Sequence, residues 1–228
     1  MGYYYFDWTY LLVIAGALLS IIASYNVNAS YKKFARVANM RGITGAEAAM
    51  RILEANNVRN VQVRHVSGEL TDHYDPRNQT VNLSDSVYNS TSVAALVVAA
   101  HECGHVMQHE TGYTPIKIRT ALVPAANIGS RFGIYIVILG LILGFGPLAT
   151  IGIWVFSLVV LFQIVTLPVE FDASRRALAM LEGYGLMGSE EVGGAKKVLT
   201  AAALTYVAAA ASSVMQLVRL MILRDRRR

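Results

Sequence analysis

Two histidines four residues apart, His101 and His105, enclose Glu102, Cys103 and Gly104 to form an H-E-x-x-H motif at the end of a long uncharged run. At about 3.6 residues per turn the two imidazoles stack on one helix face and can reach a single Zn2+ ion. Glu102 sits about 100° around the same helix, placed to hold a water beside the ion and act as general base rather than to ligate. Cys103 lies about 200° from His101 and faces away, so it reads as a buried structural thiol. Gly104 lowers helix propensity, and its expected use is the close approach of another backbone or of substrate.

A catalytic zinc takes three protein ligands and keeps one position open. Thr111 stands where a metzincin carries its third histidine, which excludes that pattern. All five histidines lie at or before position 109, so a third ligand further downstream must be a carboxylate. His109 continues the row of His101 and His105 but lies about 6 Å beyond His105 along the axis, which suits orienting or substrate contact better than ligation. Among the downstream acids Glu110, Glu170, Asp172, Glu182, Glu190, Glu191 and Asp225, two stand out. Glu170 and Asp172 directly follow the second long apolar run, just after Pro168, which suits a helix start or a kink. Upstream, His73 and Asp75 stay open as competitors. If Glu170 shares an ion with His101 and His105, the intervening chain must cross a membrane an even number of times, because one crossing would part the ligands by some 30 Å.

The elements that must position these groups follow from composition and patterning. The 228 residues are 54% hydrophobic and only 15% charged, values of a membrane protein rather than a soluble domain. The net charge of +5 is explained by basic residues beside apolar runs: Lys32, Lys33, Arg36 and Arg41, then Arg224, Arg226, Arg227 and Arg228. No aromatic-basic motif points to nucleic acid. A single cysteine excludes an internal disulfide. Trp8 to Ser24 is almost wholly apolar and long enough to cross a bilayer, with Tyr3, Tyr4, Tyr5, Phe6, Trp8 and Tyr10 as an aromatic belt at one end. It lacks a leading basic segment and a small-residue cleavage site, so it reads as a permanent anchor.

Phe132 to Val169 is an uncharged run of 38 residues broken by Gly144-Phe145-Gly146-Pro147, as expected of a membrane hairpin whose first arm begins near Ala126, with Arg131 snorkelling. Val198 to Val218 is uncharged but alanine-rich, a fourth span or a packed helix. Ser92 is the expected N-cap of the motif helix, with residues 93–100 as its buried stem. Thr44-Gly45-Ala46-Glu47 reads as a capping box opening a helix to about Asn57. Residues 61–66 and 80–83 pattern as strands, with the polar cluster Asp72-His73-Tyr74-Asp75 between them as turn chemistry. The expected organisation is an anchor (1–29), a zincin-like region with the motif helix (30–125), a membrane hairpin (126–169), a third-ligand helix and connector (170–197), and an apolar C-terminal helix with a basic tail (198–228).

With these residues in view the chain resembles the YugP-like family of bacterial membrane zinc metallopeptidases. The matching stretches are Asp72-His73-Tyr74-Asp75-Pro76, residues 99–108 around the motif, Glu170-Phe171-Asp172-Ala173-Ser174-Arg175-Arg176-Ala177-Leu178, and Thr205-Tyr206-Val207-Ala208. The resemblance implies a multi-pass bacterial cell-membrane peptidase of the gluzincin type, with His101, His105 and Glu170 holding the metal. More distantly the chain is similar to membrane proteases of the heat-shock and prenyl-protein-processing type, whose helix after the hairpin reads E-x-x-x-D. Here Ser174 stands in place of that aspartate, and Asp172 is the candidate for orienting a ligand histidine instead.

The expected protein is therefore a mainly α integral-membrane protein, with three or four membrane helices and a small α+β zincin-like catalytic region. Its expected activity is zinc-dependent endopeptidase cleavage at the membrane surface, using one Zn2+ ion and acting on peptide or membrane-protein substrates. Glu102 takes a proton from the attacking water and passes it to the leaving amine. Candidates for orienting a ligand, stabilising the oxyanion or touching substrate are His109, His73, Asp172, Arg175 and Tyr206, and the strand at Thr80 to Leu83 is expected to pair with extended substrate. The lysines after the first span favour a cytoplasmic site. The competing classes are a non-catalytic membrane scaffold with a structural metal and a metal transporter.

Overall fold

The computed structural model describes residues 7–226; Tyr3, Tyr4, Tyr5 and Phe6 of the expected aromatic belt, and Arg227 and Arg228 of the basic tail, lie outside them. In chain order the elements are α1 (Tyr10–Phe34), α2 (Gly45–Ala55), β1 (Gln62–His65), β2 (His73–Asp75), β3 (Thr80–Leu83), α3 (Val93–Glu110), α4 (Thr114–Ile142), α5 (Gly146–Gly183) and α6 (Ser189–Asp225). Four helices, α1, α4, α5 and α6, are long and apolar enough to cross a membrane. The protein is thus a mainly α integral-membrane protein with a small α+β region, and Val198 to Val218 belongs to the fourth apolar helix.

Two element boundaries differ from those expected. The first arm of the hairpin, α4, begins at Thr114 rather than near Ala126 and carries Pro124 in its interior. Pro168 does not open a helix: α5 runs unbroken from Gly146 to Gly183, so Glu170 rides on the second arm itself. Propagating a helix through proline loses one backbone bond, whereas stopping and restarting requires a new nucleus.

The chain forms two compact units. The helical unit comprises, among the described residues, 7–24, 117–167 and 205–226. Its helices approach through small residues, as expected where apolar lipid provides no hydrophobic drive for association. Gly16 of α1 meets Ser212 of α6, whose Oγ donates to the Gly16 carbonyl at 2.8 Å. In the hairpin Gly133 lies against Phe156 and Gly152 against Val137, around a core of Val137, Ala149, Ile153, Phe156 and Val160. The turn is closed by Gly144 at φ +65°, with the Phe145 N–H donating to the Gly140 carbonyl at 2.9 Å. Arg219 stacks over Tyr10 with its guanidinium carbon 4.3 Å from the ring centre, and Arg226 donates to Asp7 at 2.8 Å. Tyr10, from the expected aromatic belt, thereby packs against a basic side chain.

The second unit, residues 25–116 and 168–204, carries the sheet and α3. The capping box forms: Thr44 Oγ1 accepts from the Glu47 N–H at 3.2 Å, and Glu47 Oε2 accepts from the Thr44 N–H at 2.7 Å. α2 buries Ala46, Ala49, Ile52 and Leu53 in the same core as Leu96, Ala99, Ala100 and Cys103 of α3. The sheet order is β1-β3-β2, with β1 parallel and β2 antiparallel to β3. β3 is therefore central, buried at all four residues and paired on both edges, and cannot accept a substrate strand as expected of Thr80 to Leu83. β1 and β2 are the outer strands, and β2, formed by residues read from the sequence as a turn, is the one whose Tyr74 N–H reaches α3 at Glu102.

Candidate metal centre

α3 starts where Ser92 Oγ accepts from the Ala95 N–H at 3.2 Å, satisfying one of the first-turn donors that the helix leaves unpaired. The stem Val93 to Val97 is buried, which anchors the C-terminal half of the helix within the unit. The motif follows on this fixed base. The His101 and His105 rings lie 4.8 Å apart at 83°. Glu170, only 2% exposed, brings its Oε2 to 3.4 Å from His101 Nε2 and 3.7 Å from His105 Nε2.

The fit to zinc can be tested on this spacing. Tetrahedral zinc with bonds of about 2.0–2.1 Å holds its donors roughly 3.3–3.4 Å apart. The three donor atoms all lie within 4.8 Å of one another, and two imidazole nitrogens with one carboxylate are the donor set of a catalytic zinc with an open position. The residues fit the ion.

α5 reaches α3 because Gly104 has no side chain. A Cβ there would lie 2.5 Å from the Ala173 carbonyl oxygen. The expected close approach is thus to backbone, three residues along α5 from Glu170.

Glu102 stands on the neighbouring face of α3 and is 8% exposed. Its Oε2 accepts from the Tyr74 N–H of β2 at 2.9 Å. Burial pushes the Glu102 carboxyl above the ordinary carboxylate range, against the opposing pull of His101 and of the Tyr74 N–H. Cys103 is fully buried against α2, 3.8 Å from the Ala49 carbonyl, and burial pushes its thiol upward, as an inert structural cysteine requires.

The other candidates separate. His109 packs edge-on against the Tyr74 ring at 5.4 Å, beside the motif. His73 is exposed on β2, with Nδ1 2.8 Å from the Thr71 carbonyl and Nε2 3.2 Å from Asn82 Nδ2. Arg175 is turned onto Asp172, and Tyr206 belongs to the helical unit. Asp172 does not bond either motif histidine directly: its carboxylate accepts from Arg175, from Arg176 Nε at 2.6 Å and from Gln108 Nε2 at 3.1 Å. The groups that face the outer nitrogens of the two imidazoles are ones the motif did not single out. Gln108 Oε1 lies 3.0 Å from His105 Nδ1, and Ser174 Oγ lies 3.4 Å from His101 Nδ1. Ser174 thus occupies the place that E-x-x-x-D helices give to aspartate. Its position four residues after Glu170 was the available signal; Gln108, one turn past His105, had the same kind of signal.

Residues 9–225 match the family model described as "Putative neutral zinc metallopeptidase". The chain is 42% identical over 212 residues to the "Putative membrane protease YugP" of Bacillus subtilis (strain 168), covering 93% of this chain and 94% of that one. No solved structure matches it.

Proposed function

The chain belongs to the neutral zinc metallopeptidase family, and on that footing we propose a membrane-embedded endopeptidase that hydrolyses peptide bonds at the membrane surface. His101, His105 and Glu170 hold one zinc ion, and Glu102 is the general base. The observation that carries this reading is the buried Glu170 carboxylate, 3.4 and 3.7 Å from two Nε2 atoms of one helix face, with a second buried carboxylate in the motif. Zinc, when bound, supplies Lewis acidity toward a carbonyl and lowers the pKa of water to about 7.

The chain's own groups do the rest. The Tyr74 N–H holds Glu102 Oε2, so Oε1 is the atom that takes the proton of the attacking water and delivers it to the leaving amine. An extended substrate pairs with the outer edge of β2, where backbone bonding makes little demand on sequence. His109, packed on Tyr74 next to the motif, contacts that substrate. Lys32 and Lys33 at the end of α1 favour a cytoplasmic catalytic face of the cell membrane.

Glu102→Gln tests the reading. The variant retains zinc, one ion per chain, and loses peptide hydrolysis by about 10²-fold or more. Hydrolysis at the unaltered rate would overturn the assignment of the base.

A further inference from the structure

We propose that Gln108 fixes the tautomer of His105, and that Asp172 with the Val169 carbonyl fixes Gln108 in turn. The inference rests on the reading of His105 as a metal ligand. Gln108 is fully buried between α3 and α5. Its Nε2 donates to the Val169 carbonyl at 2.7 Å and to Asp172 Oδ2 at 3.1 Å. Both of those partners are acceptors, and an amide oxygen has no hydrogen to offer them. Flipping the amide would press its oxygen against a carbonyl and a carboxylate. Oε1 is therefore committed to the opposite side, 3.0 Å from His105 Nδ1, and it can only accept. The Nδ1 atom must carry the proton.

That tautomer leaves the lone pair on Nε2, the atom that lies 3.7 Å from Glu170 Oε2. Asp172 is held as an acceptor by Arg175 and Arg176, and Arg176 is itself anchored, its guanidinium over the Tyr113 ring and 3.4 Å from Thr111 Oγ1. Metal-bound histidines commonly pass their outer N–H to a carboxylate. Here the carboxylate acts one amide further away. Asp172 and Gln108 are positioning residues, and neither meets substrate.

The test uses the zinc-loaded full chain and three variants, read by nitrogen-edited NMR of the imidazole N–H groups and by zinc affinity. In the unaltered protein the His105 Nδ1–H is a slowly exchanging proton. Gln108→Met keeps the apolar volume but removes the acceptor; the His105 signal is lost to exchange and zinc binds about 10–100-fold more weakly. Gln108→Glu returns an acceptor oxygen to His105 Nδ1, so zinc affinity recovers toward the original. A role in packing alone predicts the reverse order, because methionine suits a buried site better than an acid. Ser174→Ala shifts only the His101 signal.

An unmoved His105 signal in Gln108→Met, or zinc binding weaker in Gln108→Glu than in Gln108→Met, overturns the inference while leaving the metal reading in place. Failure of the unaltered protein to bind zinc overturns both.

Discussion

Gly104 of α3 and Ala173 of α5 meet backbone to backbone, with no room for a single added carbon: a Cβ on Gly104 would lie 2.5 Å from the Ala173 carbonyl oxygen. That contact lets an acid on one helix reach two imidazoles on the other. A carbonyl on a buried helix turn cannot swing aside as a side-chain tip can, so Gly104→Ala pushes α5 outward.

Overpacking of this kind costs about 1–3 kcal/mol, offset in part by the roughly 1 kcal/mol that alanine gains over glycine within a helix. The expected result is a small net loss of stability but a large loss at the site. Zinc affinity falls by an order of magnitude or more because Glu170 moves with α5. Calorimetric titration of zinc alongside thermal unfolding separates the two effects. Unchanged affinity would mean that α5 can shift without carrying Glu170.

Removing the metal is expected to leave a folded but less stable protein. The site joins two helices whose packing is largely apolar, with Val106, Ala173 and Ala177 all buried. A ligand at about 100 times its dissociation constant adds about 2.7 kcal/mol. Chelation should therefore lower the unfolding temperature and abolish hydrolysis, and zinc should restore both. Glu170→Gln keeps the shape while removing the charge, and its unfolding temperature should respond to zinc weakly or not at all. A full zinc response in that variant would exclude Glu170 as a ligand.

The parts of this site legible in the sequence depend on one helix or on counting. His101, Glu102 and His105 follow from helical spacing alone, and Gly104 signalled a close approach because glycine has little other use in a buried helix. Glu170 followed from the want of a downstream histidine together with an apolar run of hairpin length. The parts that were not legible depend on how α5 is rotated against α3. That rotation turns Ser174 toward His101 and brings Asp172 and the Val169 carbonyl onto Gln108, which faces His105 from within α3, rather than bringing Asp172 onto His105. β2 escaped because three residues are too few to show alternation. Its pairing with β3, opposite β1, also leaves Thr80 to Leu83 no backbone edge to offer an extended substrate.

Ser174→Asp restores the carboxylate of the E-x-x-x-D pattern behind His101. The serine Oγ stands 3.4 Å from His101 Nδ1, a long contact, and the aspartate side chain extends one atom further. A charge-assisted bond is shorter and roughly twice as strong as a neutral one. Zinc affinity should rise up to about 10-fold. Stability without metal should fall, because the new acid lies one turn from buried Glu170 and repels it. Zinc titration and metal-free unfolding of the same variant check both signs. Weaker zinc binding would show that Ser174 is spaced from His101 for another reason.

Tyr74→Pro isolates the bond between β2 and Glu102, the proposed general base. The Tyr74 N–H points to Glu102 rather than into the sheet, so proline removes that bond without cutting the ladder to β3, and edge strands tolerate proline. Burial already raises the Glu102 carboxyl, and the Tyr74 N–H is one of the groups that lower it. Without that donor the carboxyl rises further, so a larger fraction is protonated at a given pH and unable to accept a proton. Hydrolysis at neutral pH should fall, and the acid limb of the pH–rate profile should move to higher pH, with activity recovering as pH increases. Tyr74→Ala keeps the N–H and should leave the limb in place while losing the ring that packs on His109. A loss of activity in Tyr74→Pro that is the same at every pH would mean that the N–H serves substrate binding rather than Glu102.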